Sequence, residues 1–248
     1  MKIYMAGLKK LSLIDVKKNI SCVIWLCMCN LKCPYCHNYR IADGDPKVCK
    51  WIDIDLIVND IEEIKYFIDY VHITGGEPLL QLESLKNLLS IAKERGLNIS
   101  IDTNAILSRN LEVLLNHELV DHIATDIKIP FKLLTGVNND ELWSNFLRSI
   151  EIIKTYDKVT LELRIPISKL NNFKTFKENL NQVYQELEGF NNYYIVIYPI
   201  LKNEYVQVRN PKWAYYNPSK KIFLKALEVV RKLFHGVKIY EAHTGYLR

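Results

Sequence analysis

The chain has 248 residues, 49% of them hydrophobic and 25% charged, with a net charge of +5, six cysteines and no Gly- or Ser-rich tract. That profile describes one compact globular chain and excludes the disordered and fibrous classes, while the mild positive charge permits an anionic partner without requiring one. The lysine-interrupted start MKIYMAGLKKLSLIDVKKN does not read as a secretory signal, and the apolar run ISCVIWLCMC is far shorter than the ~20 residues of a membrane span, so a cytoplasmic setting without membrane contact is expected.

Along the chain, short β-branched runs alternate with amphipathic stretches. Strands are predicted at ISCVIWL (20–26), YVHIT (70–74), NISID (98–102), DHIATDIK (121–128), VTLELRI (159–165) and YYIVIYP (193–199), with a last short one in VKIYEA. Between the first two, Ile57, Ile61, Ile64 and Ile68 recur at helical spacing. Leu82, Leu85, Leu88, Leu89 and Ala92 do so next, in a helix that stops at Gly96 as its C′ residue. LSRNLEVLLNHEL, NDELWSNFLRSIEIIKTY, NNFKTFKENLNQVYQELEGF and KKIFLKALEVVRKLF continue the helical series, each opened or preceded by Asn, Ser or Asp. Six βα units in a row predict parallel strands with right-handed crossovers. The fold class expected is α/β, a partial (βα)6 TIM-like barrel over residues 1–200. A basic, aromatic-rich C-terminal extension, 201–248, carries one helix and a short strand and packs on the same domain.

In such a barrel, chemistry sits at the C-terminal ends of the strands. The cysteine loop WLCMCNLKCPYCHNYR follows the first strand and TGGEP the second; Asp102 ends the third, Asp126 and Lys128 the fourth, and Arg164 lies near the end of the fifth. Alternation also places His72 with Thr74, Ser100 with Asp102, Asp126 with Lys128 and Glu162 with Arg164 on shared strand faces. A polar lumen suggests a bound ligand, because barrel interiors are otherwise filled with Val, Ile and Leu. His117, His122, His235 and His243 sit in no motif and read as surface or core residues.

Four of the six cysteines fall within ten positions. In a reducing compartment, thiols at that density point to metal or redox chemistry rather than to disulfides. Cys29, Cys33 and Cys36 are spaced so that one loop can wrap three thiolates around three corners of an iron–sulfur cube and leave the fourth iron open. An open coordination position is where substrate chemistry takes place. The competing reading is a structural zinc site completed by Cys27 or His37. Cys22 alternates with Ile24 and Leu26 and reads as a small core residue; Cys49 is unassigned.

CNLKCPYC, with its C-x3-C-x2-C spacing and an aromatic before the last cysteine, resembles the signature of the radical S-adenosylmethionine superfamily. GGEP after the second strand is similar to that superfamily's second hallmark. CPYCHN, ITGGEPLLQ, DTN and DIK further resemble the activating enzymes of glycyl-radical enzymes, above all the activating protein of anaerobic ribonucleotide reductase. The resemblance spans about residues 10 to 200. It implies a 4Fe-4S cluster on Cys29, Cys33 and Cys36, reduced by an external flavodoxin- or ferredoxin-type donor. It further implies reductive cleavage of S-adenosylmethionine to methionine and a 5′-deoxyadenosyl radical, which takes hydrogen from a glycine of a partner protein.

Site residues follow from the chemistry of these motifs together with what the resemblance implies. Gly75 and Gly76 let the backbone approach the methionine amino group, Glu77 binds in the site or orients the loop, and Tyr35 lies toward the adenine. His37 and Asn38 tune the cluster from just behind it. Asp102, Thr103 and Asp126 match positions that hold a monovalent cation near the cofactor carboxylate, and Lys128 with Asp126 manages charge around the sulfonium. Arg164 clamps a carboxylate. The plain alternatives are an ordinary turn at GGEP, a buried ion pair among Asp102, Asp126 and Lys128, and an Arg164 that merely satisfies Glu162.

Two positions depart from the family pattern, Met28 and Ala105, where relatives commonly carry glycine. A third departure follows the sixth strand, where YPILKNEYVQV replaces a Pro-aromatic-His segment. The stretch from there to Lys221 interleaves Lys202, Arg209, Lys212, Lys220 and Lys221 with Tyr205, Trp213, Tyr215 and Tyr216, a mixture used for single-stranded nucleic acid. The alternative function is therefore a radical enzyme that modifies RNA (tRNA) or a small molecule, and the plain reading of the stretch is a loop packed through its rings.

Overall fold

The computed structural model describes residues 1–169, 172–202 and 205–242, so His243 lies outside the described residues. The chain packs as two compact units, one of residues 1–30 with 38–124, the other of residues 31–37 with 125 onward.

The first unit is built on β1 (Lys2–Ser12), β2 (Ser21–Leu26), β3 (Lys50–Asp53), β4 (Tyr70–Gly75), β5 (Asn98–Asp102) and β6 (His122–Asp126), whose last two residues belong to the second unit. Neighbouring strands follow the order β3-β1-β2-β4-β5-β6. β2, β4, β5 and β6 are parallel, as the alternating pattern predicts. β1 and β3 are additions to it: β1 pairs antiparallel with both β2 and β3. Its lysines and its two register shifts, between Met5 and Gly7 and between Lys9 and Ser12, hide a strand period from sequence reading.

Helices α1 (Tyr39–Ala42), α2 (Ile54–Ile64), α3 (Leu82–Glu94) and α4 (Ser108–Asn116) complete this unit. Ile57, Ile61 and Ile64 form the buried stripe of α2; Ile68 follows a 3-10 turn and stays buried. α3 packs against β5 and α2, its Leu85, Leu88 and Leu89 are fully buried, and each such leucine contributes about 2 kcal/mol of transfer free energy. α3 ends as predicted: Gly96 has φ of 75°, the left-handed conformation a C′ residue adopts at least cost when it lacks a Cβ.

The second unit contains α5 (Phe131–Thr135), α6 (Glu141–Lys154), β7 (Thr160–Ile167), α7 (Phe173–Glu186), β8 (Tyr193–Pro199), α8 (Lys220–Leu233) and β9 (Ile239–Glu241). β7, β8 and β9 are parallel neighbours. Asn172 caps α7 by accepting from the Thr175 N–H, and Ser219 caps α8 by accepting from the Ile222 N–H. Period-2 alternation splits each strand: Leu161, Leu163, Ile165, Ile195 and Ile197 are fully buried, while Glu162, Arg164, Tyr194 and Tyr198 occupy the opposite face. Among the described residues no helix is long and apolar enough to cross a membrane.

Candidate functional site

In the first unit the end of β4 is fastened to the segment that leads out of β2. Gly76 N–H donates to the Leu26 carbonyl (2.8 Å) and Glu77 N–H to the Met28 carbonyl (2.7 Å). Glycine is required here by the chain's own packing. A Cβ on Gly76 would stand 2.0 Å from the Met28 carbonyl oxygen, and one on Gly75, whose φ is 116°, 2.3 Å from that of Leu26. Glu77 is fully buried. Its carboxylate accepts from the Leu79 N–H (3.0 Å), the Thr103 hydroxyl (2.8 Å) and the Asn104 N–H (2.7 Å). The loop after β4 is thereby joined to the loop after β5. Asn104 then extends its amide to Asn30 Oδ1 (2.7 Å) and toward Cys29 Sγ (3.9 Å), so the two asparagines flank the first thiol of the triad.

One rung below, a polar row crosses three strands. His72 Nδ1 meets Ser100 Oγ at 2.9 Å, Ser100 Oγ meets His122 Nδ1 at 2.8 Å, and all three residues are buried. His72 Nε2 faces Asp102 Oδ2 at 3.5 Å, the same oxygen that takes the Thr74 hydroxyl at 3.1 Å. The row follows the strand register, in which His72 pairs with Ser100 and Ser100 with His122. Asp102 is therefore oriented from within the sheet, and His122 is a core residue.

The two departures from the glycine pattern have a backbone explanation. Met28 has φ of 76° and Ala105 φ of 56°, so both non-glycine residues hold the left-handed conformation that glycine reaches without Cβ strain. Replacing Met28, which is 47% exposed, by glycine is expected to stabilise the protein by about 1 kcal/mol and to raise the thermal midpoint by roughly 2–4 °C. Ala105→Gly should gain less, because the Ala105 methyl is fully buried. An unchanged or lowered midpoint for Met28→Gly in calorimetry would contradict strain at this turn.

The second unit carries Cys33 and Cys36 on the 31–37 loop, together with Tyr35, Asp126, Lys128 and Arg164. Lys128 is buried and its ammonium donates to Asp126 Oδ2 at 2.9 Å; the Tyr198 hydroxyl donates to Asp126 Oδ1 at 3.2 Å. Arg164 Nε donates to Glu162, and Tyr194 donates to the other oxygen of that carboxylate. The plain ion pairs read from the sequence thus exist, and Tyr194 and Tyr198 join them. Burial, followed by the charges of Asp126 and Cys33 among its neighbours, raises the Tyr198 phenol well above its ordinary range. Burial beside Cys33, Asp126, Tyr198 and Cys36 does the same to Tyr35. Both stay protonated donors. The buried Tyr35 hydroxyl has no hydrogen-bond partner among the described residues. Asn38 precedes α1 and its carbonyl accepts from the Ala42 N–H (2.8 Å).

Cys29, Cys33 and Cys36 are half-buried and outside any disulfide. Thiols are the soft ligands that an iron–sulfur cluster takes, and in the second unit the unsatisfied Tyr35 phenol lies beside Cys33 and Cys36; among the described residues no three His, Cys, Asp or Glu side chains are gathered as a ready metal site. Cys27 does not complement them as a zinc ligand, because it is bonded to Cys49, a pairing that leaves no mark in local spacing. Cys22 is fully buried, and burial pushes its thiol up to about 12. At pH 8 only about one Cys22 in ten thousand is a thiolate, and thiolate is the reactive form. Alkylation of the metal-free protein should therefore modify Cys29, Cys33 and Cys36, spare Cys22, and reach Cys27 and Cys49 only after reduction. Labelling of Cys27 before reduction, read by peptide mass spectrometry, would contradict the pairing.

Asn30, Asn104 and Tyr198 are the residues that sequence reasoning left out. Asn104 was signalled only by its place in DTN, and Tyr198 by its alternation with Tyr194. The basic-aromatic stretch shows a clearer outcome: Trp213 and Tyr216 are buried in a core with Leu134, Ile200 and Val208, which is the packed-loop reading and withholds those rings from stacking on bases.

A family model described as the radical SAM superfamily matches residues 23–183. A protein of Methanocaldococcus jannaschii named as a glycyl-radical enzyme activating enzyme is 34% identical over 159 residues, 62% of this chain and 64% of that protein. A 7-carboxy-7-deazaguanine synthase of Methanopyrus kandleri is 31% identical, covering 54% and 58%, and a pyruvate formate-lyase-activating enzyme of Clostridium pasteurianum 30% identical, covering 59% and 63%. The chain thus matches somewhat less than two thirds of the length of these relatives. Among solved structures, QueE from Escherichia coli superposes with a TM-score of 0.57 at 13% identity, over 97% of this chain and 94% of that one. The likeness shows the α/β, partial TIM-like barrel fold. With the matched span taking in the cysteine motif, the GGE turn and the polar strand ends, the chain belongs to the radical SAM superfamily.

Proposed function

We propose that the chain is a glycyl-radical-enzyme activating enzyme, of the kind that serves anaerobic ribonucleotide reductase. The observation that carries this reading is the C-x3-C-x2-C triad Cys29, Cys33 and Cys36, outside any disulfide, in a chain 34% identical over its matched span to a protein named as such an activator. These three cysteines would hold a 4Fe-4S cluster. Bound there and reduced by an external donor, such a cluster would supply the single electron for reductive cleavage of S-adenosylmethionine.

The chain's own residues orient and shield. The turn at Gly75 and Gly76 would present backbone to the methionine end of the cofactor, and Glu77 fixes that turn through Thr103 and Asn104 rather than reaching into the site. Asp102, held by Thr74 and His72, and Asp126, held by Lys128 and Tyr198, supply negative charge. The Lys128 ammonium balances Asp126. Tyr35 would serve the adenine end and Arg164 would take a carboxylate. The substrate would be a glycine Cα of a partner protein, whose hydrogen would pass to the adenosyl carbon to leave 5′-deoxyadenosine and a glycyl radical.

Electron paramagnetic resonance of the reduced protein with S-adenosylmethionine and an anaerobic ribonucleotide reductase tests this reading. A doublet from a carbon-centred radical on the reductase is expected. Formation of 5′-deoxyadenosine without the doublet would overturn it in favour of a small-molecule substrate, a second reading favoured by the 31% identity to a 7-carboxy-7-deazaguanine synthase.

A further inference from the structure

The stretch from Val208 to Tyr216 has no place in the chemistry above, yet it grips the loop that carries Cys33 and Cys36. Arg209 N–H donates to the Cys36 carbonyl (3.1 Å) and Asn210 N–H to the Pro34 carbonyl (2.8 Å). The Tyr216 hydroxyl lies 3.3 Å from that Pro34 oxygen and 3.1 Å from the Asn210 carbonyl. The Trp213 ring stands 5.6 Å from Tyr35 and 5.1 Å from Tyr216, centroid to centroid. Aromatic contacts of this kind hold a loop by shape as well as by area.

The stretch is itself anchored. Lys169 N–H donates to the Tyr215 carbonyl (2.8 Å), Asn217 N–H to the Ile200 carbonyl (2.9 Å), and Lys202 N–H to Asn217 Oδ1 (2.9 Å). At the start of the cysteine loop a second support meets it: Lys32 N–H donates to the Thr135 carbonyl (2.9 Å), and a Cβ on Gly136 would lie 2.2 Å from the Lys32 oxygen. Within the loop the Cys36 N–H donates to the Cys33 carbonyl (3.2 Å). Outside partners thus hold the loop at Lys32, Pro34 and Cys36.

We propose that residues 208–216 form a clamp that shapes the Cys33–Cys36 loop before metal arrives, with Trp213 and Tyr216 as its positioning residues. The proposal rests on reading Cys33 and Cys36 as cluster ligands. A loop held in its bound shape loses less conformational entropy when the metal binds, and ligands oriented from outside the coordination sphere hold metal more tightly. The clamp also explains why this cationic, aromatic stretch turns the Trp213 and Tyr216 rings inward.

The test uses Tyr216→Phe, which removes one hydroxyl, and Trp213→Leu, which removes the ring. In the metal-free protein, amide hydrogen exchange over residues 31–37 and at Arg209 and Asn210 should quicken by about tenfold in Tyr216→Phe and by more in Trp213→Leu, while residues 98–102 keep their wild-type rates. In iron-loaded protein both variants should shift the resonance positions of the reduced cluster, and Trp213→Leu should release iron to a chelator about tenfold faster. Unchanged exchange over 31–37 in both variants, or a rise spread evenly over the chain, would overturn the clamp. Failure of wild-type protein to take up iron would instead overturn the cluster assignment, and the exchange data would still decide on the clamp.

Discussion

Gly76→Ala is expected to lower 5′-deoxyadenosine formation by at least about a hundredfold, the scale of loss when a reacting group is displaced by an ångström. The added Cβ would sit 2.0 Å from the Met28 carbonyl oxygen and 2.7 Å from its carbon, and both are backbone. That backbone cannot retreat cheaply. The Met28 carbonyl accepts the Glu77 N–H, the Met28 N–H donates to the Ile41 carbonyl, and the preceding Cys27 is buried and bonded to Cys49. The displacement therefore falls on Cys29, the next residue. Gly7→Ala is the matched control, because a Cβ there meets nothing within 4 Å. Wild-type turnover in Gly76→Ala would show that the turn yields without moving the thiol.

Glu77→Gln is expected to cost about 2–3 kcal/mol, the penalty for leaving a buried donor without its acceptor in place of a charge-assisted bond. A midpoint lowered by roughly 5–10 °C follows from that cost. The glutamate offers two acceptor oxygens to the Leu79 N–H, the Thr103 hydroxyl and the Asn104 N–H; a glutamine offers one. Whichever way its amide is turned, an NH2 faces a backbone N–H, that of Asn104 or that of Leu79. Because Asn104 also flanks Cys29, cofactor cleavage should fall by about tenfold as well. A thermal scan that matches wild type would contradict the role given to this carboxylate.

How much was legible in the sequence depended on whether the signal was local. The parallel strands β2, β4, β5, β6, β7 and β8 were each placed within two residues at either end, because β-branched runs between amphipathic helices leave a strong periodic mark. β1 left none, being a bulged antiparallel strand whose lysines interrupt the pattern. The cysteine triad and the GGE turn stood out through spacing. The Cys27–Cys49 bond did not, since which cysteines pair is a property of the tertiary fold. Met28 and Ala105 were visible as departures where relatives carry glycine, but their positive φ was not, because nothing in a methionine or an alanine announces a left-handed turn. Likewise Trp213 and Tyr216 share their composition with an exposed nucleic-acid surface, and only burial separates the two.

The most direct test of radical chemistry at Cys29, Cys33 and Cys36 is the release of 5′-deoxyadenosine from S-adenosylmethionine by the iron-reconstituted, reduced protein, compared with its Cys33→Ala variant. Wild-type protein should release it and Cys33→Ala should not, because the loss of one of three thiolates dismantles the site that leaves an iron open. Release retained by Cys33→Ala, or absent from wild-type protein that carries its cluster, would contradict the assignment of these thiols.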